Sequence, residues 1–293
     1  MGKQEAVRLS VVIPAFNEEG FLAGALASLA AQDFAGRYEV IVVDNNSTDG
    51  TAALAASYGA RVLAEPQPGV CAARQRGTTE AEGDIVVSTD ADTVHPTDWL
   101  TRLDSRFRAH PDAIAVAGPC RYVDPPWWAA VFPPVYFAAI AGVHAALGRV
   151  CYVTATNLAF VRSTFPGYDT TLTQGGDEFD ILRRLQDRGR VVWDPGNPVL
   201  TSSRRMDQGL LHTLVVSFGY HYLLSLLLNR LTSRTVIGAA PAIRHEDAPD
   251  VRRRRRRWRA VLGVGTLALV TLRAGGTYRS RKRVAAEASC PTS

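Results

Sequence analysis

Cysteine is scarce in this chain of 293 residues: Cys71, Cys120, Cys151 and Cys290 are the only four, far apart and without paired spacing. That excludes a zinc site or a disulfide framework built on cysteine and fits a reducing, cytoplasmic compartment. A leader is not expected either. The first apolar run begins within nine residues of the start, with no charged-then-apolar segment before it, so no secretory signal is expected. No internal repeat is found. Clean membrane-spanning runs are also missing. Trp127 to Leu147 has Pro133-Pro134 at its centre, and Gly209 to Leu228 carries Thr213, Ser217, His221 and Ser225 four apart, with Asn229 continuing the stripe. Ala260 to Leu272 has 13 residues, short of the ~20 that a crossing helix needs.

What is present is an alternation of short β-branched runs with helical periodicity. Leu9 to Ile13 is a strand closed by Pro14 and followed by Ala15-Phe-Asn-Glu-Glu19, after which Phe21, Leu22, Ala25, Leu26 and Leu29 recur at helical spacing. Glu39 to Val43 is a second strand, ending in Asp44-Asn-Asn-Ser-Thr-Asp-Gly-Thr51, with a short helix over Ala52 to Tyr58. Val62 and Leu63 start a third strand, Cys71 to Ala81 a third helix and Ile85 to Thr89 a fourth strand. Such alternation predicts an α/β fold, a mostly parallel sheet covered on both faces.

The fourth strand runs directly into Asp90-Ala-Asp92. A strand there delivers both carboxylates to the carboxyl edge of the sheet, where open α/β folds bind ligands. Two acids at one edge repel each other unless a hard cation lies between them. Mg²⁺ or Mn²⁺ takes such oxygen ligands together with substrate phosphates. The expectation is a metal and diphosphate site.

Taken jointly, Val12-Ile-Pro-Ala-Phe-Asn-Glu-Glu19, Val43-Asp-Asn-Asn-Ser-Thr-Asp-Gly-Thr51, Gly69-x-x-x-Ala73-Arg74 and Gly83-Asp84 leading to Asp90-Ala-Asp92 resemble family 2 glycosyltransferases of the GT-A fold. The resemblance covers roughly the first two-thirds of the chain. It implies a sugar-nucleotide donor linked to UDP or GDP, a divalent metal and transfer to an acceptor with inversion. Carried over, Pro14, Ala15 and Glu18 line the nucleoside pocket, Asp44 reads the base, Asp90 lies near the ribose and Asp92 holds the metal, with Asp90 its neighbour in the motif. On physical grounds Glu18 and Asp44 can each accept a hydrogen bond from a uracil imide or a ribose hydroxyl. Asp49 reads as a helix-start residue. Arg74 faces a phosphate or the solvent, and Gln75 stands where the family often has Asn.

The second half supplies the reaction partner. Thr154 to Phe160 reads as a strand, Phe165 to Tyr168 as a turn, and Thr173-Gln-Gly-Gly-Asp-Glu-Phe-Asp180 opens a helix. Carboxylates are favoured at a helix N-terminus, and this stretch resembles the acidic motif that holds the family's catalytic base. The usual order is Glu then Asp; here it is Asp177 then Glu178. By register Glu178 is the first candidate for the base and Asp177 the second. Asp180 is helical, paired with Arg183 or Arg184 or exposed. Asn157 resembles a donor- or acceptor-contact position, though a buried strand-end Asn has the same signature. His212 and His221 are assigned no chemistry.

Charge divides the chain. From Arg204 onward seventeen Lys and Arg face five Asp and Glu, a net of +12, which leaves residues 1 to 203 at −7 within an overall +5. The tail includes Arg252 to Arg257 and Arg279-Ser-Arg-Lys-Arg283. An anionic lipid surface attracts such clusters by ~1 kcal/mol per basic residue. The other readings are a disordered basic tail and, last, a nucleic-acid contact, for which no recognition motif is present. The expected organisation is a GT-A domain over 1–205, its nucleotide-sugar half about 1–120 and its acceptor half about 121–205, then a basic helical appendage over 206–293. A single crossing at Trp127 to Leu147 would put Asp92 and Glu178 on opposite sides of a bilayer, so two helices covering the acceptor cleft are expected there. The expected location is peripheral, on the inner face of the cell membrane, with a two-span tail hairpin as the alternative. The expected acceptor is lipid-linked, a glycan or a small polyol. Rival functions are a retaining transferase, a nucleotidyltransferase, disfavoured because the first loop lacks glycines and basic residues, and a non-catalytic sugar-nucleotide-binding protein, disfavoured by Asp177 and Glu178.

Overall fold

The computed structural model describes residues 6–172, 177–204, 206 and 209, with backbone alone at 132 and 133. All of them lie in the unit Met1–His245. The first half runs β1 Leu9–Ala15, α1 Glu19–Ala30, β2 Tyr38–Asp44, α2 Thr51–Ser57, β3 Arg61–Ala64, α3 Val70–Glu80, β4 Ile85–Ser88 and β5 Thr93–Val94. The second runs α4 Trp99–Ala109, β6 Ala113–Ala117, β7 Cys120–Val123, α5 Trp127–Leu147, β8 Leu158–Val161, α6 Asp177–Gln186, β9 Arg190–Trp193 and β10 Val199–Ser202.

Seven strands form the main sheet in the order β3-β2-β1-β4-β8-β6-β9. All are parallel except β8, which runs antiparallel to β4 and β6. Alternation along β1 explains the layers, because successive side chains point to opposite faces. Val11 and Ile13 pack with Leu22, Leu26, Leu29, Leu100 and Leu103 of α1 and α4. Val12 packs on the other face with Ala73, Ile181, Leu182 and Leu185 of α3 and α6. Close approach of α3 to the sheet requires Gly77, where a Cβ would lie 2.9 Å from Val43 and closer still to Val12. The result is a mixed α/β sheet flanked by helices, as expected.

Parallel strands end on one edge, so the loops after β1, β2 and β4 meet there. Antiparallel β8 starts at the same edge, its Leu158 in register with Ser88. A smaller sheet, β5-β10-β7, closes over this edge and carries the chain onward from Asp92.

Two expectations are corrected. Trp127 to Leu147 is one continuous helix of 21 residues through Pro133-Pro134, not a pair. Proline removes a donor but holds φ at a helical value, and the helix is pinned on one side, with Ala129 and Ile140 buried. Thr154 to Phe160 is not a strand throughout: Ala155–Asn157 forms a 3-10 turn, N-capped by Thr154, and the strand begins at Leu158. The appendage expected at 206–293, with its apolar stretches, lies outside the described residues apart from Met206 and Gly209.

Candidate functional site

The loops after β1 and β2 clasp each other. Asn17 adopts a φ of 54° and Asn46 one of 68°, left-handed conformations that Asn tolerates better than most residues. The Asn17 side chain accepts the Thr48 N–H at 2.7 Å, the Asn17 N–H donates to Ser47 Oγ at 2.9 Å, and the Glu18 N–H donates to Thr51 Oγ1 at 2.9 Å. Asp49 accepts from the backbone N–H groups of both Glu19 and Thr51. Burial pushes its carboxyl up, but the hydrogen bonds from Thr51 and Glu19 outweigh it and hold the pKa low. Asp49 thus serves two helix starts, as expected for that position.

Asp44 stands at the end of β2, half-buried, with Oδ1 accepting the Ser47 N–H at 3.1 Å. Pro14 and Ala15 end β1 beside it, in register with Val43 and Asp44. Asn45 fastens the next loop, its Oδ1 accepting the Gly69 N–H at 2.8 Å. Gly69 has a φ of 128°, which only glycine adopts freely, and this turn aims α3 and Arg74 at the cleft.

Arg74 is neither on a free surface nor in open solvent. It is buried on α3, and its guanidinium donates to Asp90 Oδ1 at 2.8 Å and to Asp177 Oδ2 at 2.8 Å. Burial opposes its charge, yet Asp90 and Asp177 outweigh that and raise its pKa. The second Asp90 oxygen accepts from Thr156 Oγ1 at 2.6 Å, so both of its oxygens are engaged. One arginine therefore joins the acid pair after β4 to the acidic start of α6, 103 residues away. Next to Asp177, Glu178 is half-buried. Burial first, then the charge and hydrogen bond of Asp177, push its carboxyl well above the ordinary range, with Arg74 opposing.

A second arginine organises the other side. Arg204 donates to both oxygens of Glu18 at 2.7 and 2.8 Å, and its Nε lies 3.1 Å from Asp92 Oδ2. The guanidinium also sits 4.6 Å over the Phe21 ring. Thr201 donates to Asp92 Oδ1 at 3.4 Å, and the Ser202 N–H to its carbonyl at 3.2 Å, so β10 holds Asp92 and presents Arg204 together.

Among the described residues no group of three or more His, Cys, Asp or Glu forms a metal cage. The donor set nonetheless fits Mg²⁺ or Mn²⁺, which are held by one or two carboxylates plus substrate phosphates rather than by all-protein cages. Each acid of the pair already meets an arginine and a threonine: Asp92 meets Arg204 at 3.1 Å and Thr201 at 3.4 Å, Asp90 meets Arg74 at 2.8 Å and Thr156 at 2.6 Å.

Asn157 is buried, with its amide donating to the carbonyls of Pro119 and Asn197 and its Oδ1 accepting from Trp99 Nε1. These bonds tie the start of β8 to two neighbouring loops inside the fold. Asp180 pairs with Arg184 at 2.6 Å.

Three site residues escaped sequence reasoning. Thr156 lay hidden in an assumed strand. Arg204 was counted only as the first charge of the basic tail; its signal was its place two residues beyond a strand returning to the cleft. His95, three residues past Asp92, bridges Thr89 Oγ1 at 2.8 Å and Ser28 Oγ at 3.0 Å and stacks on Trp99. Burial drives its pKa down to about 3, so it is a neutral strut under the acid loop.

Residues 10–140 match glycosyl transferase family 2. An uncharacterized glycosyltransferase of Mycobacterium tuberculosis is 45% identical over 84 residues, 29% of this chain and 36% of that protein. The undecaprenyl-phosphate 4-deoxy-4-formamido-L-arabinose transferase of Aeromonas hydrophila is 36% identical over 112 residues, 35% of this chain and 34% of that protein. The chain thus spans about a third of the length of these curated relatives. The crystal structure of a mannosyltransferase from Pyrobaculum calidifontis, in complex with GDP-Man and Mn²⁺, superposes with a TM-score of 0.57 at 21% identity, covering 82% of this chain and 67% of that one. At that identity the likeness shows the fold.

Proposed function

We propose that this chain, whose residues 10–140 match glycosyl transferase family 2, transfers a sugar from a nucleotide-sugar donor to an acceptor hydroxyl. The observation that carries the reading is the Arg74 clamp, 2.8 Å to Asp90 and 2.8 Å to Asp177. It brings a donor-side acid pair and an acceptor-side acid pair to one cleft, as a displacement reaction requires.

In this reading Pro14, Ala15, Glu18 and Asp44 border the nucleoside, and Asp92, with Asp90 beside it, faces the diphosphate. Mg²⁺ or Mn²⁺ held by Asp92 would neutralise the charge that develops on the departing nucleoside diphosphate. Arg74 holds Asp90 and Asp177 in place, and Asn157 positions the β8 start from within. Glu178 is the general base. An acceptor hydroxyl does not attack unaided, so a carboxylate within ~3 Å must take its proton as the anomeric carbon is approached. Glu178 and Asp92 then act on opposite faces of that carbon, which gives inversion. A carboxyl raised toward neutral pH is well matched to that proton transfer. The excess of basic residues after residue 203 supports peripheral attachment to an anionic inner membrane face. One relative, by its name, acts on a lipid-linked acceptor.

The test is a donor screen that measures Mn²⁺-dependent release of UDP or GDP, with polyprenol-phosphate, glycan and small-polyol acceptors. Release that depends on metal and accelerates with one acceptor class supports the reading. Nucleotide binding without turnover on any acceptor or water would favour a non-catalytic sugar-nucleotide-binding protein.

A further inference from the structure

We propose that the outward face of α5 is a lipid-docking surface that lies in the headgroup layer of an anionic bilayer and brings an amphiphilic acceptor to Glu178; the acceptor clause rests on the transferase reading above.

The face is continuous. Trp127, Val131 and Val135 are 83%, 61% and 63% exposed, and with exposed Ala138, Gly142 and Ala145 they fall within an arc of roughly 80° on one side of the helix, opposite buried Ala129 and Ile140. No Asp, Glu, Lys or Arg occurs between 127 and 147. Of the most apolar window of this helix only 6% is buried, so it is not a core helix. A helix of 21 residues is roughly 30 Å long at ~1.5 Å per residue, and an exposed apolar strip of that length marks a partner or a membrane.

The helix lies along the domain and does not leave it. Ala129 and Ile140 are buried on its inner side, and Phe137 stacks on Trp193 at 5.7 Å. Beyond both ends the chain rejoins the fold, through β7 paired with β10 and through buried Val150 and Val153. A crossing would tear those strands apart, whereas a helix lying flat in the interface leaves them intact.

Charge selects the occupant. Exposed Arg121 and Arg149 stand before and after the helix, with Asp124 beside the first. The chain beyond residue 203 carries a net +12. A second copy seated on this face would bring a like set of flanking arginines against Arg121 and Arg149, whereas an anionic bilayer attracts them.

The inner side of the same helix leads to the start of α6. Tyr136 on α5 meets Tyr152 with ring centroids 5.4 Å apart, and Tyr152 meets Phe179 at 5.4 Å. Phe179 directly follows Glu178. An aromatic row thus ties the inner side of α5 to the start of α6, so a helix seated in the headgroup layer holds the acceptor side of the cleft close to the bilayer.

The experiment uses the full chain with Trp258→Phe as background and vesicles of phosphatidylcholine and phosphatidylglycerol with brominated acyl chains. Indole emission is expected to be quenched, and Trp127→Phe should remove most of the quenching. Val131→Asp with Val135→Asp should lower vesicle partition at least tenfold in high salt, while calorimetric affinity for UDP with Mn²⁺ stays unchanged. Unaltered quenching and partition in these variants would overturn the docking surface. So would a dimer in light scattering that the same two aspartates dissociate. Failure of vesicle binding with metal-dependent nucleotide release intact overturns the docking alone. Vesicle binding that persists in a protein releasing no nucleotide overturns the acceptor clause and the transferase reading instead.

Discussion

Arg204 forms a bidentate pair with Glu18, 2.7 and 2.8 Å across 186 residues of sequence. The same guanidinium reaches Asp92 at 3.1 Å. A residue just beyond β10 thus holds together the loop after β1 and the acid pair after β4. Glu18 and Asp92 side chains are each only 12% exposed, so without the arginine two poorly hydrated carboxylates would face each other.

Arg204→Met is therefore expected to destabilise the protein by about 2 kcal/mol, below the ~3 to 5 typical of breaking a fully buried pair because all three groups keep some solvent contact. Denaturant unfolding measures it. Adding Glu18→Gln should recover part of the loss, since it removes one of the stranded charges, and a strictly additive double variant would contradict the coupling.

Asp92→Ala is expected to abolish the metal-dependent part of nucleotide binding. Calorimetric titration of UDP with and without Mn²⁺ gives the comparison, and an unchanged difference would remove Asp92 from the metal-holding role. Asp90→Asn should instead act chiefly through stability, because both Asp90 oxygens are already engaged by Arg74 and Thr156.

Arg74→Met tests the clamp. It leaves Asp177 buried without its cation and loosens Asp90, and a loss of about 3 kcal/mol is expected, the lower bound for a broken buried pair. Arg74→Lys should recover little, since a single ammonium does not reproduce the planar fork that reaches two carboxylates at once. A lysine variant as stable as the parent would show that charge, not geometry, is what the site requires.

Much of this was legible in the chain before the structure. The β-branched runs at Leu9, Glu39 and Ile85 announced three strands, and the Asp90-Ala-Asp92 pair announced two carboxylates at the edge where β4 ends, because strand alternation and strand ends are local properties. What stayed hidden was non-local. Arg74 looked like a surface or phosphate-facing residue, since nothing in its own helix reveals that Asp177, 103 residues on, would bury against it. Arg204 was submerged in a basic tail, and only the return of β10 to the cleft gives it a role. Pro133-Pro134 misled in the other direction: a local helix-breaking signal lost to packing of one helix face against Trp193 and its neighbours.

The last prediction concerns Glu178. If it is the general base, Glu178→Gln should lower turnover by ~10² or more with donor affinity nearly intact, and the acid limb of the parent's rate profile should lie above the ordinary Glu range. Stability provides an independent reading. Burial and then Asp177 raise this carboxyl well above its ordinary value of 4.5 in the folded state, so between the two values the folded protein binds more protons than the unfolded chain. Stability then falls as pH rises through that window. The sign is opposite to that of a salt-bridged acid. Glu178→Gln, which cannot ionise, should unfold at a higher temperature than the parent at pH 8, and the advantage should shrink toward pH 4. A variant less stable than the parent at pH 8 would mean that the carboxylate is satisfied, not strained, in the fold. If Asp177→Asn rather than Glu178→Gln were the variant that lost turnover with binding intact, the base would be Asp177, and Arg74 would be its direct electrostatic partner.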